Sequence, residues 1–200
     1  MTRGKAAVGL RAHSGWAVLV AVGDDDGDPV VLERRRIELV KGDGPRATQP
    51  YHAAAEMKLE DAEPFLRDCA ERAAQMARES LRDAFAALEK RGYHAAQGAI
   101  LLAAGRPLPG LASILASHPA IHTAEGEFFR NALRVAAESL GMAVTGIKER
   151  ELLDRAAKTF GLTADKLQKR ATELGKPVGR PWTQDEKLSC IAGWLVLHGA

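Results

Sequence analysis

The sequence predicts a three-layer α/β domain: a mixed five-stranded sheet with helices on both faces. Three observations carry that reading. The first forty residues hold three apolar, valine-rich runs separated by short turn signals, which is the pattern of an antiparallel meander. Two later strand-like runs, residues 97–104 and 142–147, each follow a long helical pattern. Right-handed crossovers through those helices would lay strands four and five parallel to strand one.

The first strand covers residues 6–10 and ends in the turn signal His13-Ser14-Gly15. The second, residues 16–22, runs into an Asp/Gly connection at residues 23–29. The third, residues 30–40, carries Glu33, Arg34, Arg35, Arg36 and Glu38. Alternation puts Arg34, Arg36 and Glu38 on one face and Arg35 and Ile37 on the other. That much charge suits an exposed edge strand. A Gly/Pro loop spans residues 41–48 and leads to Pro50, Tyr51 and His52.

Residues 61–90 read as a helix, with Phe65, Cys69, Ala73, Met76, Leu81, Phe85 and Leu88 at helical spacing and Gly92 as its stop. The pairs Arg67/Glu71 and Asp68/Arg72 support its solvent face. The unbroken apolar run at residues 97–104 suits a strand buried on both faces. An irregular stretch containing Pro107, Pro109 and Pro119 follows. Thr123 then reads as the cap of a helix reaching Gly141, with Glu125 and Glu127 in its first turn. After the strand at residues 142–147, helices are expected over 149–160, 164–174 and 184–198. Thr183 and Glu186 make a capping-box pattern for the last. The linker-like residues 175–181 are too short to separate domains, so residues 1–200 are read as one domain.

Composition narrows the function. Lys and Arg number 28 against 26 Asp and Glu, a formal charge of +2, which excludes a strongly basic tail and an acidic solvating protein. Apolar residues at 46% can fill a core, and 5% aromatics argue against a stacking platform for single strands. Cys69 and Cys190 have no disulfide or metal spacing and read as two reduced core thiols. The longest stretch free of charged residues, 107–124, contains three prolines and cannot be a membrane helix. A cytoplasmic protein with no membrane partner is expected.

The element order, the segment from Val8 to Gly15 at the exit of strand one, and the segment from Glu125 to Phe129 before strand five resemble the ribonuclease H-like superfamily. Within it, the chain looks like the bacterial Holliday-junction resolvase branch. The resemblance covers most of the chain as element order. It implies a cleft where carboxylates from the end of strand one, from strand four and from the last helix hold two divalent cations that activate water. This chain departs from that pattern. Arg11 occupies the first position, strand four offers Leu101, Leu102 and Ala103, and only Asp185 and Glu186 remain. Unit charges about 4 Å apart interact by roughly 4 kcal/mol at an effective dielectric of 20. Arg11 would therefore oppose a divalent cation, and a degenerate site with no metal cofactor is expected. Separately, the segments 11–17, 34–38 and 49–53 resemble those of a bacterial family without an assigned activity.

Arg11, His13 and Ser14, at the turn after strand one, offer charge, hydroxyl and backbone donors to an anion. Arg34, Arg36, Tyr51 and His52 could complete a basic pocket for a phosphate or carboxylate. The plainer alternatives are a β-turn with an exposed arginine and a loop packed by its tyrosine. An enzymatic alternative places His13, Glu125, Asp185 and Glu186 around one divalent cation such as Mg²⁺. Against it, the three acids are equally explained by helix dipoles and the capping box.

His13 and Ser14 are adjacent and point to opposite sides, so they are not read as a nucleophile pair. His118 and His122 are separated by Pro119, so a shared helical face, and with it a metal site, is not expected. The run from Asp24 to Asp28 lacks the distal glutamate of a calcium loop, and residues 105–110 lack the Lys-Ser/Thr end of a phosphate loop. Residues 141–187 carry a local charge of +3, which suits either a phosphate-facing surface or ordinary solvated helices. The expected function is binding of nucleic acid or another phosphate-bearing ligand without cleavage. A homodimeric interaction module is the third reading.

Overall fold

The computed structural model describes residues 4–42, 44–103 and 107–199; Gly105 and Arg106 of the proline-rich segment lie outside them. Strands β1 (Gly4–His13), β2 (Trp16–Asp25) and β3 (Asp28–Glu38) form the meander. Then follow α1 (Pro45–Thr48), α2 (Pro50–Ala55), α3 (Leu59–Lys90), β4 (Tyr93–Leu102), α4 (Leu111–Leu115), α5 (His118–Ser139) and β5 (Ala143–Lys148). The chain closes with α6 (Glu149–Phe160), α7 (Ala164–Leu174) and α8 (Gln184–Leu197). Strand order is β3-β2-β1-β4-β5. β1 is antiparallel to β2 and β2 to β3, while β4 runs parallel to both β1 and β5. The mixed five-stranded sheet and its edge strand β3 are as the sequence predicts.

The Asp-rich run is a hairpin turn. Asp25 faces Asp28, Asp26 and Gly27 both have positive φ (52° and 92°), and the Gly27 N–H donates to Asp24 Oδ1 at 2.8 Å. Two positive φ angles give the turn whose twist matches that of the flanking strands.

Alternation along β1 and β2 sends Val8, Leu10 and Leu19 to one face and Ala7, Val18 and Val20 to the other. The first face is covered by α3 and α5 through Leu81, Leu88, Phe129 and Leu133. The second lies under α6, α7 and α8 through Leu152, Leu167, Ile191 and Leu195. Each such side chain removed from water stabilises the fold by about 1.5–3 kcal/mol. α8 is buried on most of its circumference and crosses the sheet centre, which is why its small residues matter.

Two expectations change. Cys190 is fully buried against Val18, Val20 and Val22, and burial pushes its thiol up to about 12, but Cys69 is only half-buried, so one core thiol is present rather than two. A thiol reagent at neutral pH should therefore modify a single cysteine in the native protein, lost in Cys69→Ser, and reach Cys190 only in denaturant. Rapid native modification of two thiols would contradict this packing.

The second change concerns α5. It starts at His118, with Ser117 in the N-cap position, and Pro119 sits in its first turn. A proline there loses no helical hydrogen bond, because its missing N–H would have had no partner. Thr123 is inside the helix, its hydroxyl donating to the Pro119 carbonyl. Glu125 and Glu127 accordingly lie beyond the first turn, and His118 and His122 do share a face. Short helices α2 and α4 stand where loops were expected. Among the described residues, no helix is long and apolar enough to cross a membrane.

Candidate functional site

The site at the exit of β1 is set by how closely α8 lies on the sheet. A Cβ built on Gly9 would come within 1.8 Å of the Ser189 carbonyl oxygen and 2.9 Å of the Gly193 amide nitrogen. Backbone touches backbone at that crossing. Two residues further along β1, about 6.6 Å, is Arg11. Four residues back along α8, about 6 Å, is Asp185. The crossing therefore brings Arg11 and the first turn of α8 to one place. β5 is parallel to β4 and β4 to β1, so the residue after β5, Glu149, reaches the same end of the sheet.

The Arg11 guanidinium uses all three of its nitrogens here. Nε and Nη2 donate to Glu149 Oε2 and Oε1, each at 3.0 Å, in a two-pronged pair. Nη1 donates to Asp185 Oδ1. His13 Nε2 lies 3.0 Å from Asp185 Oδ2 and 3.4 Å from Arg11 Nη1. The bond to Glu149 chiefly, then the charges of Glu149 and Asp185, hold the Arg11 pKa above its ordinary value against the opposing effect of burial. Burial, helped by the neighbouring guanidinium and opposed by Asp185, moves His13 below its usual range. A neutral His13 donates from Nε2 to Asp185, so the carboxylate is shared between two donors.

The His13 ring stacks on Trp16 (centroids 4.1 Å apart, 11° between planes), and the Arg36 guanidinium lies 3.9 Å above the Trp16 ring. Arg34, on the same face, donates from Nη2 to the Arg180 carbonyl at 3.3 Å, and its buried Nε has no acceptor among the described residues. Ser14 is exposed in the β1–β2 turn. Beside the start of α8, a cleft of about 860 Å³ is lined by Lys176, Arg180, Trp182 and Lys187, among others.

Tyr51 and His52 lie elsewhere. They sit on α2, which packs with α3 and α5 in the opposite layer, and their backbone N–H groups donate to Glu125 Oε1 at 2.8 and 3.0 Å. Glu125 is 5% exposed, and burial raises its pKa against the opposing effect of those hydrogen bonds. Tyr51 is raised as well, by burial and then by the Glu125 charge. Glu186 faces inward to its cap: Oε2 accepts from the Thr183 N–H and hydroxyl, both at 2.6 Å. Of His13, Glu125, Asp185 and Glu186, the structure thus joins only His13 and Asp185. The contribution of Glu149 escaped the sequence reading. Its signal was positional: an acid directly after a strand whose parallel register ends beside β1.

Strand order, the antiparallel meander and the parallel β1/β4/β5 core define a ribonuclease H-like fold. Solved structures of RuvC share it. The Thermus thermophilus RuvC structure aligns over 96% of this chain and 93% of its own, at a TM-score of 0.54 and 10% identity. The structure of T. thermophilus RuvC in complex with Holliday junction substrate aligns over 97% and 93%, with the same score and identity. No protein-family model matches the chain, and no curated protein matches it in sequence. At 10% identity the likeness establishes the fold.

Proposed function

We propose that this chain is a ribonuclease H-like domain that binds a phosphate backbone without cutting it. The observation that carries the reading is the position of Arg11, bonded to both Glu149 and Asp185 at the β1 exit. The two-cation chemistry associated with this fold needs several carboxylates converging on open coordination positions. Here β1 supplies a guanidinium, β4 ends in Leu101 and Leu102, and the two carboxylates present are already engaged by the cation of Arg11. That donor set does not fit a pair of divalent cations. Asp185 also serves His13, and Glu186 is committed to Thr183.

Anion binding in this reading falls to the groups around the cluster rather than to Arg11 itself, whose charge is already met by two carboxylates. Arg34 keeps a buried donor with no acceptor among the described residues, Arg36 lies exposed above Trp16 with only its Nε given to Glu38, and Lys176, Arg180 and Lys187 line the adjoining cleft. An unpaired buried N–H is costly and is relieved by an incoming acceptor such as a phosphate oxygen. Nucleic acid is favoured as the ligand because the solved RuvC with this fold is seen with a Holliday junction substrate.

The test is fluorescence anisotropy with labelled four-way and duplex DNA across a salt series, paired with a cleavage assay in Mg²⁺ or Mn²⁺. Binding that weakens with salt is expected. Arg34→Glu combined with Arg36→Glu should lower affinity more than tenfold and flatten the log–log salt slope by about 2. No cleavage is expected with either metal. Cleavage abolished by Asp185→Asn would replace this reading with a nuclease, and absence of binding at low salt would end it.

A further inference from the structure

The second cluster, at the N-terminal end of α5, has ligand chemistry that neither the fold likeness nor the Arg11 site uses. We propose that His52, His118 and His122 hold a zinc ion, with a fourth position open to water. One nitrogen from each imidazole lies within 4.8 Å of the other two. The rings meet edge to face, with centroids 5.7 Å apart for His52–His118, 4.9 Å for His52–His122 and 4.4 Å for His118–His122. A tetrahedral zinc with bonds of about 2.0–2.1 Å sets its nitrogens about 3.3 Å apart. Side-chain rotation of the two exposed histidines covers that difference without moving a helix.

Two features separate this group from a chance meeting of surface histidines. The first is the support behind His52. Its Nδ1 lies 3.2 Å from Glu125 Oε1, which also accepts the N–H groups of Tyr51 and His52. An ionised Glu125 fixes the proton on Nδ1, and the lone pair is then on Nε2. Metal-bound histidines are oriented in this way by a carboxylate on their other nitrogen. The second is Glu125 itself. It is 5% exposed, and its Oε2 is buried with no partner among the described residues. A buried carboxylate with an orphaned oxygen is expensive, and a divalent cation one imidazole away offsets its charge.

The donor set decides the metal. Three imidazole nitrogens suit zinc and the neighbouring transition ions and are a poor match for magnesium or calcium, which prefer oxygen. Three neutral ligands leave the ion its full charge, and that charge acidifies water in the fourth position. The ion would also clip α2 to α5, two elements otherwise joined through Tyr51, His52 and Glu125.

Untagged protein, stripped of metal with a chelator and dialysed, is titrated with ZnCl₂ in competition with a colorimetric zinc indicator. One equivalent bound with a micromolar or tighter dissociation constant is expected, unaffected by millimolar Mg²⁺. Cobalt(II) should give the visible absorption of a four-coordinate ion. His118→Ala and His122→Ala are exposed helix positions that leave the fold intact by circular dichroism, and each should weaken zinc at least tenfold. Glu125→Gln, which removes the carboxylate behind His52 without touching the ion, should weaken it about 10–100-fold. No binding by the native protein at 100-fold excess zinc over a micromolar constant would overturn the proposal. So would unchanged affinity in the His118→Ala, His122→Ala double variant, which would mean that zinc sits elsewhere.

Discussion

Gly9→Ala should destabilise the protein by about 3 kcal/mol or more, at or beyond the upper end of the range for overpacked cores. The sign is the informative part. The β1 backbone at Gly9 is ordinary extended chain, where replacing glycine by alanine normally stabilises by about 0.4–1 kcal/mol through the unfolded state. Here the added methyl would sit 1.8 Å from the Ser189 carbonyl oxygen. Both sides of that contact are backbone, so no rotamer change relieves it, and α8 must lift from β1. Against a total stability of roughly 5–15 kcal/mol, such a loss is large. Urea unfolding should show a clear fall in midpoint, with Ala143→Val on the exposed face of β5 as a control. An unchanged midpoint would mean that the helix does not lie this close. Lifting α8 also separates Asp185 from Arg11, so the variant should lose DNA affinity if the surrounding cleft binds it.

Arg11→Asp should cost about 2 kcal/mol in the absence of divalent ions, and millimolar Mg²⁺ should return much of it. The estimate lies between the 3–5 kcal/mol for breaking a buried pair and the 0–1 kcal/mol for an exposed one, because the Arg11 side chain is 24% exposed. The substitution gathers three carboxylates where one guanidinium now lies between two. Magnesium is the right probe because it binds oxygen ligands and is indifferent to the imidazoles of the other cluster. Thermal unfolding with and without Mg²⁺ reads the effect. The native protein should show no response, and Arg11→Met should be destabilised without being rescued. A variant as stable as the native chain, or one blind to Mg²⁺, would show that these carboxylates do not form a cation pocket.

Much of the fold was legible because its signals are local. α6 and α7 begin and end where the sequence places them, since Thr163 caps α7 and Gly161, in the left-handed conformation, stops α6. The capping box of Thr183 and Glu186 does the same for α8. The start of α5 was not legible, because a proline breaks a helix interior but is accommodated in a first turn, and the sequence alone does not say which position Pro119 holds. That ambiguity conceals the shared face of His118 and His122, and with it the imidazole cluster. The loop at residues 49–53 gave no periodicity from which α2 could be seen. At the β1 exit, the unusual residue Arg11 was visible in the sequence, but its partners were not. Asp185 is 174 positions away and Glu149 is 138, and only the sheet register and the glycine crossing bring them in.

A bound ion is in exchange with the solvent and leaves when a chelator or dilution removes it. The positive charge of Arg11 is covalently tethered to β1, at a local concentration that no change of medium alters. The acids at this corner therefore keep their counter-charge in EDTA, in low magnesium and at any protein dilution.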